Sequence, residues 1–228
     1  MQAYYGKRAS KYDASMGYDD PCVVERLTPV ISALRDISEN RKILELACGP
    51  CFWTQQVVAK ALSIKATDFN ESTLEQARKK NLPWDKVSLE QADAYNLTTV
   101  QGEFDMVLAV DWLAHVPRSR INAFLSGIIN RIPTGSPVVF IDQLAGPHSW
   151  SGVFDGEGNH IQERTFEGGK TFRVIKHFWT DEELSQIFSP FASELAVTRF
   201  PECRRVMVSA RSNKSEQFRS ANAAKLRG

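Results

Sequence analysis

Residues 43–54 read ILELACGPCFWT. Ile43, Leu44 and Leu46 make a short apolar run of the length of a buried strand. Beyond it Phe52, Val57 and Leu62 keep the spacing of a helix packed on a sheet. A strand that passes to a helix through a glycine-containing turn is the opening unit of wound α/β proteins. The same turn, Cys48-Gly49-Pro50-Cys51, also matches the Cys-x-x-Cys string of a disulfide oxidoreductase, where a helix N-terminus lowers the first thiol's pKa. Two readings of one bend therefore compete.

The surrounding sequence repeats the strand–helix alternation. PCVVERLTPVISALRD, residues 21–36, predicts one helix upstream, with Val23, Leu27, Val30, Ile31 and Leu34 on one stripe. Downstream, SIKATDF reads as a strand, NESTLEQARKKN as a helix with Asn70 as N-cap, DKVSLEQAD as a weaker strand and FDMVLAVD as a strongly apolar one. A helix over 118–131 and a strand at SPVVFIDQ follow. ELAVTRFPECRRVMVSAR reads as two strands joined through Pro201 and Glu202. The expected fold is α/β: a Rossmann-like wound sheet, mostly parallel, with a C-terminal antiparallel hairpin and helices on both faces.

Between these elements, residues 144–179 are rich in Gly, His and aromatic side chains and contain IQERTFEGGKTFRVIKHF, where Gly168-Gly169 predicts a two-residue hairpin turn. So long a connection is usually functional or disordered. We expect a single domain over 1–211, in which 1–36 form an N-terminal helical lid and 144–179 an inserted substrate-cap ribbon, with 212–228 a flexible polar tail.

The chain has 228 residues, and 28 Lys plus Arg stand against 27 Asp plus Glu. A formal charge of +1 gives no electrostatic reason to expect nucleic acid or an anionic membrane as partner. No run approaches the roughly 18 apolar residues of a membrane span, and the first residues lack a signal-peptide core. Four scattered cysteines form no disulfide framework, so a cytoplasmic protein is expected. No second cysteine pair or close histidine pair completes a zinc site, and no metal is expected.

A second acidic residue weighs between the two readings of the bend. Asp68 ends the next strand nineteen positions after Gly49 (68 − 49), close to the spacing of about 20 at which a carboxylate reaches a nucleotide ribose in wound folds. A thiol redox site requires neither Asp68 nor Glu45. ILELACGPCFWT, ATDFNESTLEQARKK, QADAYNL and FDMVLAVDWLAHVP resemble, in order and spacing, the successive motifs of class I S-adenosylmethionine-dependent methyltransferases over roughly residues 40–145. HFWTDEELSQIF and the terminal strand pair are also typical of that family. In the family's acidic-x-Gly-x-Gly-x-Gly turn, Glu45 and the middle Gly49 are kept. Ala47 and Cys51 take the places of the other glycines.

The resemblance implies S-adenosyl-L-methionine as cofactor. It places the backbone of Ala47, Cys48 and Gly49 against the methionine part and Asp68 on both ribose hydroxyls. Phe69 falls beside the adenine, Asp93 on its amino group and the Ala94 amide on a ring nitrogen, with Glu45 and Val110 in the same site. Carboxylates suit these positions because hydroxyls and an exocyclic amine are donors. Taken singly, Asp68 and Asp93 each read better as turn or helix caps after strands; taken together they favour the cofactor reading.

The acceptor side lies beyond the fourth strand. Were VDWLAHVPRSR helical, Asp111 and His115 would share a face, the carboxylate raising the basicity of a candidate general base. His115 bound merely to a backbone carbonyl is an equal alternative. The Asn/Asp-Pro-Pro-Tyr signature associated with methylation of amide or nucleobase nitrogens is missing. In YYGKRASKYD, Tyr5, Arg8 and Tyr12 fall on one helical stripe. The resemblance puts a tyrosine of such a segment, here Tyr12, on the cofactor's carboxylate, while core packing is the competing reading.

Tyr5, Trp112, Gln143, Trp150 and His177 are the candidate substrate contacts, within a wider set of ribbon handles that includes His148 and Arg164. The expected activity is methyl transfer to O, N or C of a small organic metabolite by a monomer or homodimer. An NAD-type oxidoreductase, which prefers Gly-x-Gly-x-x-Gly, and a catalytically silent cofactor- or partner-binding module stay open.

Overall fold

In the computed structural model, residues 2–147, 149–165 and 169–214 are described. His148, most of the tail and Gly168 of the expected Gly168-Gly169 turn lie outside them. Among the described residues nine strands form two sheets. The first five are β1 (Lys42–Leu46), β2 (Ser63–Asp68), β3 (Val87–Gln91), β4 (Met106–Val110) and β5 (Pro137–Gln143). They run parallel in the order β3-β2-β1-β4-β5. β9 (Arg205–Ser212) then pairs antiparallel with β5, and β8 (Ala192–Phe200) antiparallel with β9. β6 (Ile161–Thr165) and β7 (Thr171–Ile175) form a separate antiparallel ribbon.

The continuous apolar run of β4, and the run of β1 broken only by Glu45, follow from their central position, which buries both faces. Side chains alternate across the pleat, so Ile43 joins one core with Leu34, Ile64 and Leu108, while Leu44 and Leu46 join the opposite core with Phe124, Leu125 and Phe140. Each fully buried leucine contributes roughly 1.5–3 kcal/mol of apolar transfer. Strand order reverses at β1, whose neighbours are β2 and β4. A wound sheet opens its binding crevice at the carboxyl ends of strands at such a switch point.

The helices are α1 (Gln2–Arg8), α2 (Tyr12–Met16), α3 (Pro21–Arg26), α4 (Thr28–Ile37), α5 (Phe52–Val57), α6 (Glu71–Ala77), α7 (Ile121–Ile129) and α8 (Asp181–Phe188). The single helix expected over 21–36 is two. Pro29 lacks the N–H that a continuing helix needs, and the chain restarts from Leu27 with Pro29 in the new first turn. α5 stops at Val57 because the chain turns back: Leu62 N donates to Arg41 O at 2.9 Å, leading into β2. Arg118–Arg120 form a 3-10 turn before α7, so the expected 118–131 helix is shorter. Asn70 occupies the N-cap position of α6 without a side-chain cap. Its own N–H goes to Asp68 Oδ1 at 2.8 Å.

α8 starts with a reciprocal capping box in which Glu183 N donates to Thr180 Oγ1 and Thr180 N to Glu183 Oε2. The C-terminal hairpin turns through a 3-10 segment, Pro201–Cys203, closed by Arg204 in a left-handed conformation. Ser212 is the last residue of β9 rather than the first of a tail, and its Oγ donates to Pro133 O at 2.7 Å. Among the described residues no helix is long and apolar enough to cross a membrane.

Candidate active site

The bend after β1 is tight and largely left-handed: Ala47 has φ 49°, Gly49 57° and Cys51 64°. Non-glycine residues there cost about 1–2 kcal/mol each, so the backbone is held by partners. Cys48 N donates to Thr67 O at 2.9 Å, and Gly49 N to Asp68 Oδ2 at 3.1 Å. Cys51 turns its side chain away from the crevice and into the core, where it is fully buried. The missing third glycine therefore does not obstruct the cleft. A Cβ built at Gly49 would point into the cleft, meeting Tyr12 Cε1 at 3.8 Å and nothing nearer.

Neither thiol suits the redox reading. A hydrogen bond with Cys51, and then burial, hold the Cys48 thiol well above its usual range. A reactive thiol needs the opposite shift. Cys48 lines only a small side cavity with Glu45, Pro50 and Trp53. Glu45 is buried, accepts from Thr54 Oγ1 at 2.7 Å, and is pushed up to about 7 by desolvation. Its role in the geometry is to tie β1 to α5. Among the described residues no group of three or more His, Cys, Asp or Glu is placed to hold a metal ion.

The crevice over the carboxyl ends of β1, β2 and β4 gathers Ala47, Gly49, Asp68, Phe69, Asp93, Ala94, Val110 and Tyr12 in one cleft. Asn70, Thr73 and Tyr95, which the motif reading missed, complete it. Asp68 is 9% exposed. Burial pushes its carboxyl up, while the N–H groups of Asn70 and Gly49 pull it back. Asp93 accepts from Tyr95 N at 2.9 Å. Phe69 is 41% exposed and offers a face to a planar base. Two acceptor carboxylates, an exposed ring and a bend open at Gly49 fit an adenosine with a methionine tail. Trp112, expected on the substrate, instead lines this cleft beside Tyr95, at 5.8 Å between ring centroids.

A second cavity of about 500 Å³ adjoins the first. Tyr5, Tyr12, Asp111 and His115 line both. The expected Asp111–His115 pairing is not present. Asp111 has φ 54° and is followed by a 3-10 turn, Leu113–His115, so the α-helical i,i+4 alignment never forms. Asp111 Oδ1 instead accepts from Arg205 Nη1 at 2.6 Å in a buried ion pair, and its Oδ2 is buried with no partner among the described residues.

His115 takes two other partners. Its ring Nδ1 donates to the Ile175 carbonyl, which fixes Nε2 as the acceptor for the Tyr5 hydroxyl at 2.7 Å. Burial, then the Lys176 charge, hold His115 well below 6.5, so the ring is neutral. Desolvation raises Tyr5 to about 12, keeping its hydroxyl a donor.

Gln143 lines this cavity as expected, but Trp150 and His177 do not. Trp150 is 54% exposed and packs on His160 and Phe178. His177 lies against Trp179, with 4.3 Å between ring centroids, and burial holds it down to about 4. Both serve the root of the ribbon. Lys176 and Arg205, absent from the sequence-derived site, do line the cavity.

Fold and cleft together define a wound α/β protein built to take an adenosine cofactor at its switch point. Residues 43–135 match the family model described as "Methyltransferase domain". DhpI in complex with SAH superposes with a TM-score of 0.76 at 26% identity, covering 94% of this chain and 96% of that one. The glycopeptide N-methyltransferase MtfA complexed with S-adenosyl-L-homocysteine, at 16% identity, shares the fold, with a TM-score of 0.64 over 82% of this chain and 90% of its own. A stretch of 99 residues is 28% identical to Methyltransferase GfsG of Streptomyces halstedii. It covers 41% of this chain and 35% of that protein, so the match spans about a third of that relative's length. These likenesses support a class I S-adenosylmethionine-dependent methyltransferase, with S-adenosylmethionine as its cofactor. The NAD-type reading finds no support in these likenesses.

Proposed function

We propose that the protein transfers a methyl group from S-adenosylmethionine to O, N or C of a small organic metabolite by in-line displacement. The observation that carries this is the shared wall: Tyr5, Tyr12, Asp111 and His115 face both the cofactor cleft and a separate cavity of about 500 Å³. When bound, S-adenosylmethionine supplies an electrophilic methyl group on a sulfonium.

The protein's work is then to bind, align and exclude water. Asp68 and Asp93 accept the donors of ribose and adenine, Phe69 packs on the base, and Tyr12 approaches the methionine carboxylate. The unpaired Asp111 Oδ2 lies on the boundary, where a carboxylate offsets sulfonium charge. His115 Nε2 takes up the acceptor's proton through Tyr5, oriented by the Ile175 carbonyl rather than by Asp111. Of the segment 1–36, α1 and α2 act as the lid, because α4 packs Leu34 into the core, and the 144–179 ribbon caps a single domain that extends to Ser212 at the end of β9. A relative of this fold, DhpI, has been solved as a complex with SAM and HEP, which supports room for a second ligand beside the cofactor.

The direct test is release of S-adenosylhomocysteine when the full chain is incubated with S-adenosylmethionine and a panel of small metabolites. Tight cofactor binding without turnover on any of them would favour a silent binding module.

A further inference from the structure

We infer that the molecule accepted in the 500 Å³ cavity is an organic oxyanion, its carboxylate or phosphate group held by Arg8, Arg164 and Lys176. This rests on the methyltransferase reading and adds the substrate class to it.

The charge balance of the cavity is unlike that of the chain. Lys plus Arg exceed Asp plus Glu by one in the whole sequence, 28 against 27. The cavity wall instead carries six cationic side chains and two acidic ones. One of those acids, Asp111, is already paired with Arg205. The other, Glu202, lies exposed in the hairpin turn. The excess is assembled from distant parts of the sequence: Arg8 from α1, Arg164 from β6 and Lys176 from the end of β7.

None of these three has a carboxylate within ion-pair distance among the described residues, and their recorded partners are neutral. Arg164 donates to the Tyr5 hydroxyl at 3.4 Å and to Gln162 Oε1 at 3.1 Å. Arg8 donates to Ser15 Oγ at 2.9 Å. Both guanidinium groups lie over the Tyr4 ring, at 5.8 and 5.5 Å from its centroid, so two like charges share one aromatic support. Lys176 is 2% exposed, its ammonium 5.8 Å from the Phe178 ring centroid.

Burying an ammonium without a counter-charge is among the most costly arrangements in a fold. Lys176 feels the charges of Asp111 and Asp142 but has no carboxylate within ion-pair distance among the described residues, and with two half-buried guanidiniums on the same wall the cavity is relieved by an anion entering it. Arginine forks suit the paired oxygens of carboxylate or phosphate, and the lysine supplies a point charge. Arg164 reaches Tyr5, which reaches His115, so an anion docked on Arg164 sits next to the atoms that face the cofactor.

The test is calorimetric titration of the full chain, first with S-adenosylhomocysteine and then, in the saturated protein, with inorganic phosphate, acetate, and their uncharged counterparts trimethyl phosphate and methyl acetate. At least one anion is expected to bind about tenfold or more tightly than its neutral counterpart, and which one does so separates phosphate from carboxylate recognition. Lys176→Met and Arg164→Met should each remove about tenfold of that preference while S-adenosylhomocysteine affinity stays within about twofold. Arg164 is only half-buried, so its variant remains informative if the lysine variant fails to fold. Equal binding of anion and neutral compound, or a preference that survives both substitutions, overturns the inference. Failure to bind S-adenosylhomocysteine at all would instead overturn the methyltransferase reading beneath it.

Discussion

The Tyr5 hydroxyl and His115 Nε2 lie 2.7 Å apart, 110 residues apart in sequence, on the wall shared by the cofactor cleft and the 500 Å³ cavity. With Nδ1 committed to the Ile175 carbonyl, Nε2 holds the one lone pair that can receive a proton. His115→Ala and Tyr5→Phe should each lower kcat by about a hundredfold and leave S-adenosylhomocysteine affinity nearly unchanged. His115 is held well below 6.5 and its neutral form is the competent one, so activity should persist below pH 6.5 and fall only in more acidic buffer. Steady-state rates across pH, with calorimetry of each variant, decide this. Unaltered kcat in both variants would remove the proton-accepting role.

Asp68 has two duties, capping the Gly49 and Asn70 amides and presenting oxygens to the cleft. Asp68→Ala should weaken S-adenosylmethionine binding by about 1–3 kcal/mol through lost charge-assisted hydrogen bonds. It should also lower Tm even without cofactor, because two amides lose their acceptor. Calorimetry and thermal melts separate the two effects. Unchanged affinity contradicts the ribose contact.

Cys48 and Cys51 are buried, whereas Cys22 is exposed on α3. Brief iodoacetamide treatment of the native protein near neutral pH should alkylate Cys22 and spare the pair in the bend, as read by peptide mass spectrometry. Rapid modification of Cys48 would restore the thiol reading.

Glu45 has a folded pKa of about 7, above its ordinary 4.5, so the folded state binds the extra proton between those values. Its contribution is neutral below pH 4.5 and becomes increasingly destabilising as pH rises to about 7. The full penalty is on the order of 3 kcal/mol. Denaturant unfolding of Glu45→Gln should therefore show a flatter stability profile between pH 5 and pH 8 than the parent chain. Parallel profiles would mean that Glu45 is ionised at little cost.

The sheet and the cofactor cleft were legible in the sequence because both depend on local patterns. Apolar runs of strand length mark β1, β4 and β5, the repeating alternation marks β2, and Asp68 and Asp93 stand where strands or their turns end. The acceptor wall was less legible because contacts across long separations build it. Arg205 reaches Asp111 over 94 residues, through the antiparallel pairing of β9 on β5. Nothing near Asp111 signals that partner. The Asp111–His115 pairing misled for a related reason: four-residue spacing implies contact only in an α-helix, and Asp111 is left-handed. Lys176 left one trace, a second charge just beyond the FRVI run that already holds Arg173, and its meaning needed the fold.

The two tyrosines of the shared wall come from α1 and α2, ahead of the first strand. Translation begun at the internal Met16 would yield a chain that keeps every strand, Asp68 and Asp93, yet lacks Tyr5, Arg8 and Tyr12. Such a product would lack three side chains of the cavity wall, two of which also line the cofactor cleft. The position of an affinity tag thus bears on any assay of this protein, and a C-terminal tag leaves those first fifteen residues free to settle over the crevice.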